Sequence, residues 1–201
     1  MDKQLITLGA KIELARRRFF FYAQLKNPDF YRSDRKYLQE LCDTLQWFLT
    51  SDKKILVLNM PPRHGKSYTA SNFVEWALGR DNTLQVMIGS YNETLSTRFS
   101  KNVRDSISEA KADIYKPVYS DVFPATKIKR GDGAMNLWSL EGQQTSYLAT
   151  SPTGTATGFG CRLMIIDDLI KNAEEAYKSI GTGSPIPCCH VAREIIKSSS
   201  L

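Results

Sequence analysis

The chain reads as an α/β fold, a mostly parallel sheet covered by helices, and three observations predict it. Near-continuous apolar runs at 54–59, 84–89 and 162–168 have the pattern of strands buried on both faces. Segments of helical period separate them, and strand–helix–strand alternation favours parallel pairing through crossovers. The first strand also leads directly into Asn59-Met60-Pro61-Pro62-Arg63-His64-Gly65-Lys66-Ser67 and then a helix. That is the succession of a loop whose backbone amides cradle phosphate.

Each element has its own reason. Residues 4–26 are expected as one helix, with Leu5, Leu8, Ile12, Ala15, Phe19 and Tyr22 at helical spacing. Within it, Arg16-Arg17-Arg18 beside Phe19-Phe20-Phe21-Tyr22 reads either as a solvated charged face or as a nucleic-acid contact with aromatic stacking. Asn27-Pro28 breaks it. Ser33 or Asp34 is placed to cap a second helix through Tyr37, Leu38, Leu41, Leu45, Phe48 and Leu49. After the first strand and its loop, a helix is expected over 66–78, with Ala70, Phe73, Val74 and Ala77 toward the sheet and Gly79 as its stop. The second strand leads to a helix over 90–110 carrying Leu95, Phe99, Val103 and Ile107. Residues 113–135 are irregular, and 136–140 with 145–150 flank Glu141-Gly142-Gln143-Gln144 as a hairpin. A Ser/Thr/Gly-rich stretch at 151–160 precedes the third buried strand, which ends on Asp167-Asp168.

Composition bounds the partners. At 201 residues the chain fits one ordinary domain with a small N-terminal helical appendage over 1–30. The net charge of +6 and sequence pI near 9.1 suit a polyanion such as nucleic acid, or simply a basic surface. No apolar stretch reaches the roughly 18 residues that would suggest a membrane span. The N-terminus lacks a secretory core, so export is not expected. Cys42, Cys161, Cys188 and Cys189 are spaced neither as a disulfide framework nor as a paired zinc ribbon. Cys188-Cys189-His190 has no second ligand pair, which argues against a metal site there.

The loop and the third strand carry the chemistry. Gly65-Lys66-Ser67 is intact, although Met60 stands where the usual phosphate loop has its first Gly. Pro61 and Pro62 stiffen the approach by fixing φ, and Arg63 adds a cation that would hold the γ-phosphate or sense its loss. The candidate nucleotide-binding residues are therefore Pro62, Arg63, His64, Gly65, Lys66, Ser67 and Tyr68. Lys66 would neutralise β/γ oxygens, and Ser67 with Asp167 would hold hydrated Mg²⁺. Asp168 either orients the attacking water or caps a helix beginning at Leu169. A nucleoside triphosphate and Mg²⁺ are the expected cofactors, with Asp168, Lys66 and Arg63 as catalytic candidates; the triphosphate is ATP by the resemblance given next. Tyr31 and Tyr37 are aromatic candidates for stacking on the base, and Lys127, Lys129 and Arg130 form a basic cluster that contacts phosphate or is simply solvated.

Pro61-Pro62-Arg63-His64-Gly65-Lys66-Ser67 resembles the variant Walker A motif of tailed-phage terminase large subunits. Residues 163–168, then Lys171-Asn172 and Glu174-Glu175-Ala176, resemble their Walker B segment and its downstream signature. Gly89-Ser90-Tyr91-Asn92 and the Gly-rich 153–160 also match, so the likeness covers roughly 31–177. The resemblance implies a RecA-like (ASCE) P-loop NTPase, a three-layer sandwich with a mostly parallel sheet, as the ATPase domain over 31–178. It implies an ATP-driven motor that translocates double-stranded DNA into a prohead, working with a small subunit and portal, as a possible homo-oligomeric ring in the cytoplasm of an infected or lysogenic host cell. Asp167 takes the Walker B position and Asp168 the catalytic carboxylate position, a Glu in many such motors. Residues 179–201 form an atypical tail with no room for the family's nuclease domain, so the expectation is a truncated portion. In this class a strand inserts between the Walker A and Walker B strands, and whether 186–201 fill that slot is left open. Two further readings stay open: another RecA-like nucleic-acid-dependent ATPase or helicase fragment, and an inactive truncated prophage remnant.

Overall fold

The computed structural model describes residues 2–132, 134–151 and 159–167 in full, and 194–198 as backbone. The three apolar runs all become strands: β1 Ile55–Leu58, β2 Val86–Ser90 and β5 Leu163–Asp167; β1 is not buried on both faces as expected, because Ile55 and Val57 are exposed. The expected hairpin supplies β3 Leu137–Trp138 and β4 Tyr147–Thr150, paired antiparallel. A sixth strand, β6 Glu194–Ser198, completes one sheet of order β1-β6-β5-β2-β4-β3.

β2 pairs parallel with both β4 and β5. β6 runs antiparallel to both of its neighbours, β1 and β5. It follows that β1, β5, β2 and β4 share one direction, and the α/β class holds. All five residues of β2 are buried, as the central strand of a sheet covered on both faces requires.

The slot between β1 and β5 is therefore filled. Glu194–Ser198 occupies it, in the reverse direction to a parallel crossover strand, with Leu56 opposite Ile196 on one side and Ile165 opposite Ile196 on the other. Unpaired, the facing N–H and C=O groups of two strands would cost several kcal/mol. An antiparallel insertion satisfies them as well as a parallel one, since ladder bonds need spacing and alternation rather than one direction.

The helices depart from expectation at the N-terminus. In place of one helix over 4–26 there are two, α1 Lys3–Arg17 and α2 Phe19–Lys26, separated by Arg18 in extended backbone. A straight helix would spread the aromatic run around its circumference. The break turns Phe19, Phe20, Tyr22 and Ala23 into the core while Arg18 reaches Asp43. Gln46 satisfies the interruption, accepting from Phe19 N at 2.8 Å and donating to Arg17 O at 3.4 Å. Phe19 then packs on Phe73 and Trp76, so α1 and α2 share a single core with the sheet-covering helices. With Phe19, Phe20 and Tyr22 buried, these rings are not available for stacking on a nucleic acid.

Three long helices complete the cover: α3 Lys36–Thr50, α4 Lys66–Arg80 and α5 Glu93–Ile107; a single turn, α6 Tyr119–Val122, follows. Neither Ser33 nor Asp34 caps α3, because Arg35 stands at the cap position and Asp34 pairs with Arg32. Asn92 does cap α5, accepting from Thr94 N at 2.7 Å. On α5 the inward positions are Phe99, Val103 and Ile107, whereas Leu95 is exposed.

α4 is buried from Thr69 to Leu78 and passes through Gly79 rather than ending there. The reason for glycine is packing: a Cβ at Gly79 would lie 2.3 Å from the Phe123 ring. Helix propensity favours Ala over Gly by about 1 kcal/mol, while overpacking a core costs about 1–3 kcal/mol. Gly79→Ala is therefore expected to lower stability in urea unfolding, and Phe123→Leu in the same chain to recover part of the loss. A stabilised Gly79→Ala chain would show that the ring moves aside freely.

Candidate functional site

Directionality builds the site. β1 and β5 end at the same edge of the sheet, so the loop after Leu58 and the terminal residue of β5 emerge as neighbours.

The loop from Asn59 to Gly65 is held from several sides. Met60, in place of a glycine, packs partly buried against the core and anchors the near end. Arg63 and Gly65 both have left-handed backbone, with φ of 64° and 82°. For a side-chain-bearing residue such as Arg63 that costs about 1–2 kcal/mol. Alternating the hand in this way turns successive N–H groups toward a common concavity. Gly65 meets a second demand, because a Cβ there would fall 2.3 Å from the tip of the Phe30 ring. The carbonyl of Gly65 accepts from Thr69 N at 2.8 Å and opens the ladder of α4. Gly65 has no side chain to cap the first-turn amides of Lys66 and Ser67, which present the positive end of a fifteen-residue helix.

Ser67 is where loop and strand meet. Its Oγ donates to Asp167 Oδ2 at 2.8 Å, across one hundred positions of sequence. Asp167 is the last residue of β5, opposite Ser90 of β2. Hydroxyl and carboxylate are hard oxygen donors at a spacing that a small divalent cation can bridge, its other positions being completed by water and phosphate. The donor pair thus fits Mg²⁺.

The predicted residues divide accordingly. Pro62, Arg63, His64, Gly65, Lys66 and Ser67 form the loop and first turn, and Asp167 joins them. His64 Nδ1 lies 3.0 Å from Pro62 O, and its ring meets Tyr37 edge-on, so the imidazole folds back on the loop. Tyr68 sends its ring against Phe30 and Tyr31, leaving its backbone as its contribution to the turn. Asp168, Glu174, Glu175, Cys188, Cys189 and His190 lie outside the described residues.

Of the two tyrosines considered for the base, Tyr31 is excluded. It is 0% exposed; its hydroxyl bonds Thr69 Oγ1 at 2.9 Å and accepts from Asn72 at 3.1 Å. Burial pushes its phenol far above the ordinary tyrosine range. Tyr37 is exposed and, with Leu41, Met60, Pro61 and His64, lines a cleft of about 510 Å³ against the loop. Sequence reasoning missed Phe30, the cushion beneath Gly65, over which the Arg35 guanidinium lies at 5.4 Å. Nothing local in the sequence marks it, since its contact is with a residue more than thirty positions away.

Tyr31→Phe should therefore act on the scaffold. Leaving Thr69 and Asn72 without their shared partner should cost about 1–3 kcal/mol in urea unfolding. ATP affinity should stay within about twofold if Tyr31 supports the helix and does not touch the base.

A family model described as terminase large subunit, T4likevirus-type, N-terminal matches residues 57–180, well over half of the chain. No curated protein and no solved structure matches it.

Proposed function

Because the chain belongs to the terminase large-subunit family, we propose that it is the nucleotide-hydrolysing portion of a viral DNA-packaging motor, with a P-loop NTPase site for ATP and Mg²⁺. The observation that supports this most is the 2.8 Å hydrogen bond from Ser67 to Asp167 at the carboxyl edge of the sheet. It brings a phosphate-cradling turn and a strand-end carboxylate to one point, which a merely structural glycine turn would have no reason to do. Membership of this family also favours packaging over the helicase reading.

Roles follow from position. Amides of the loop and of the first turn of α4 would bind β- and γ-phosphate oxygens, and Lys66 would neutralise them. Arg63, on a left-handed and exposed position of the same loop, would reach the γ-phosphate. Ser67 and Asp167 would hold hydrated Mg²⁺, which when bound offsets the charge developing on the transferred phosphoryl group. Asp168 is proposed to orient the attacking water. Double-stranded DNA, a small subunit, a portal and a ring of like subunits are the proposed partners, and the host cytoplasm the proposed place of action. No helix among the described residues is long and apolar enough to cross a membrane.

Calorimetric titration with ATP, with and without Mg²⁺, tests this. Lys66→Ala should weaken ATP binding by about 1.5–3 kcal/mol, or roughly 10- to 150-fold. Ser67→Ala and Asp167→Asn should each remove the Mg²⁺-dependent part of the affinity. If both hold one ion, the double variant should lose little more than either single change, far from the additivity within about 0.3–0.5 kcal/mol expected of independent sites. Equal ATP affinity in wild-type and Lys66→Ala chains would overturn the reading.

A further inference from the structure

Ser90 is the last residue of β2, and the sheet fixes where it stands. In the parallel register of β2 with β5 it lies opposite Asp167, as Val86 lies opposite Leu163 and Ile88 opposite Ile165. Residues opposite one another in such a pair point to the same face of the sheet. Here that is the face on which Val86, Ile88, Leu163 and Ile165 join the core. It is also the face on which the first turn of α4 brings Ser67 to Asp167. One ladder spacing, about 4.8 Å, separates the backbones of Ser90 and Asp167. In sheet order Ser90 lies on the far side of Asp167 from the phosphate-cradling loop.

Ser90 is buried, at 3% exposure, and its hydroxyl has no hydrogen-bond partner among the described residues. Other buried serines show the usual arrangement. Ser96 and Ser139 donate to carbonyls at 3.0 and 2.7 Å, and Ser100 and Ser146 accept from Trp138 Nε1 at 2.9 Å and Leu140 N at 3.0 Å. Of the buried serines described, Ser71 alone shares the condition of Ser90, and its oxygen is sealed within α4. A buried hydroxyl left without a bond costs stability, and native chains keep few of them. The plain alternative is a small residue filling a strand end. Alanine would fill that space as well and without the orphaned oxygen.

The neighbouring site gives the hydroxyl a use. A small divalent cation offered one hydroxyl and one carboxylate keeps several of its waters. Groups that hold those waters orient the inner donors and tune affinity for the ion. A serine side chain is too short to cross a whole ladder spacing and join Ser67 and Asp167 on the ion itself, but it can accept from a water lying between.

We infer that Ser90 is a positioning residue of the Mg²⁺ site, holding the cation at Asp167 through an intervening water. The inference rests on the nucleotide-binding reading and adds to that site a residue from a third strand end.

Calorimetric titration of ATP into the full chain, with saturating Mg²⁺ and in EDTA, tests it. Ser90→Ala should weaken binding about 10- to 100-fold when Mg²⁺ is present. In EDTA its affinity should stay within about twofold of wild type. Ser90→Thr keeps the hydroxyl and should keep the Mg²⁺ dependence. Adding Ser90→Ala to Asp167→Asn should cost little more than Asp167→Asn alone, since both act on one ion. The thermal midpoint of the nucleotide-free Ser90→Ala chain should hold or rise, because an unpaired hydroxyl has been removed. Unchanged Mg²⁺ dependence in Ser90→Ala overturns the assignment. So does an equal loss with and without Mg²⁺, or a lowered midpoint, since either marks a residue that only shapes the site. If Lys66→Ala binds ATP as wild type does, the nucleotide reading falls and this one with it. If Lys66→Ala and Asp167→Asn weaken binding while Ser90→Ala does not, this one falls alone.

Discussion

Four strands pointing the same way, with a fifth element wedged among them, determine what meets at the functional edge. β1 and β5 are not neighbours; β6 stands between them and pairs with both. Two ladder spacings of 4.7–4.9 Å put their axes about 9–10 Å apart. The first turn of α4 leans across that interval, and Asp167 closes the rest by accepting from Ser67. Were β6 absent, β1 would have no partner in the sheet, and the loop it carries would lose its fixed distance from β5. The filled slot also removes the energetic objection to a sheet with two central strands facing an unpaired gap.

The helix that carries the loop is held just as firmly. Buried in the middle of α4, Glu75 is only 2% exposed and needs compensation for a charge taken out of water. It accepts from Tyr22 at 2.8 Å and Ser106 at 2.9 Å, and pairs with Lys26. Burial, and then the neighbouring carboxylate, push the Tyr22 phenol well above its ordinary range, so it remains a donor throughout the physiological pH range. The donors come from α2 and α5, and Lys26 also donates to Ser106 at 2.7 Å. The N-terminal helices thus take part in locating the loop, through one acid that no sequence pattern would single out.

Legibility in the sequence followed the range of the interactions. The strand runs at 86–90 and 163–167 announce themselves because burial on both faces writes a nearly unbroken apolar pattern, and the run at 55–58 has the same pattern although Ile55 and Val57 are exposed. The position of the loop at a strand-to-helix turn is legible because an apolar run leads into it and a helical period follows it, and the position of Asp167 because it ends such a run. What could not be read depended on distant partners. Gly79 looks like a helix stop but answers to the Phe123 ring. Arg18 looks like mid-helix but is the break that lets Phe19 reach Phe73 and Trp76. Tyr31 looks like a base-stacking ring but is spent on Thr69 and Asn72. The direction of β6 was equally hidden, since a short apolar pair carries no mark of parallel or antiparallel pairing.

α4 also relates the two ends of the strands. Its first turn opens on the loop and its last residue, Arg80, lines a groove of about 730 Å³ at the opposite end of the strands, so fifteen residues at 1.5 Å each place them about 22 Å apart. That exceeds the screening length of about 8 Å at physiological ionic strength by nearly threefold. A charge held at one end therefore has little direct electrostatic effect on a charge held at the other. The helix dipole does not help, because its two ends act locally and with opposite sign. On the proposed motor function, coupling between the two ends of α4 would have to be mechanical: α4 moving as a rigid rod, pivoting where Glu75 pins it to α2 and α5.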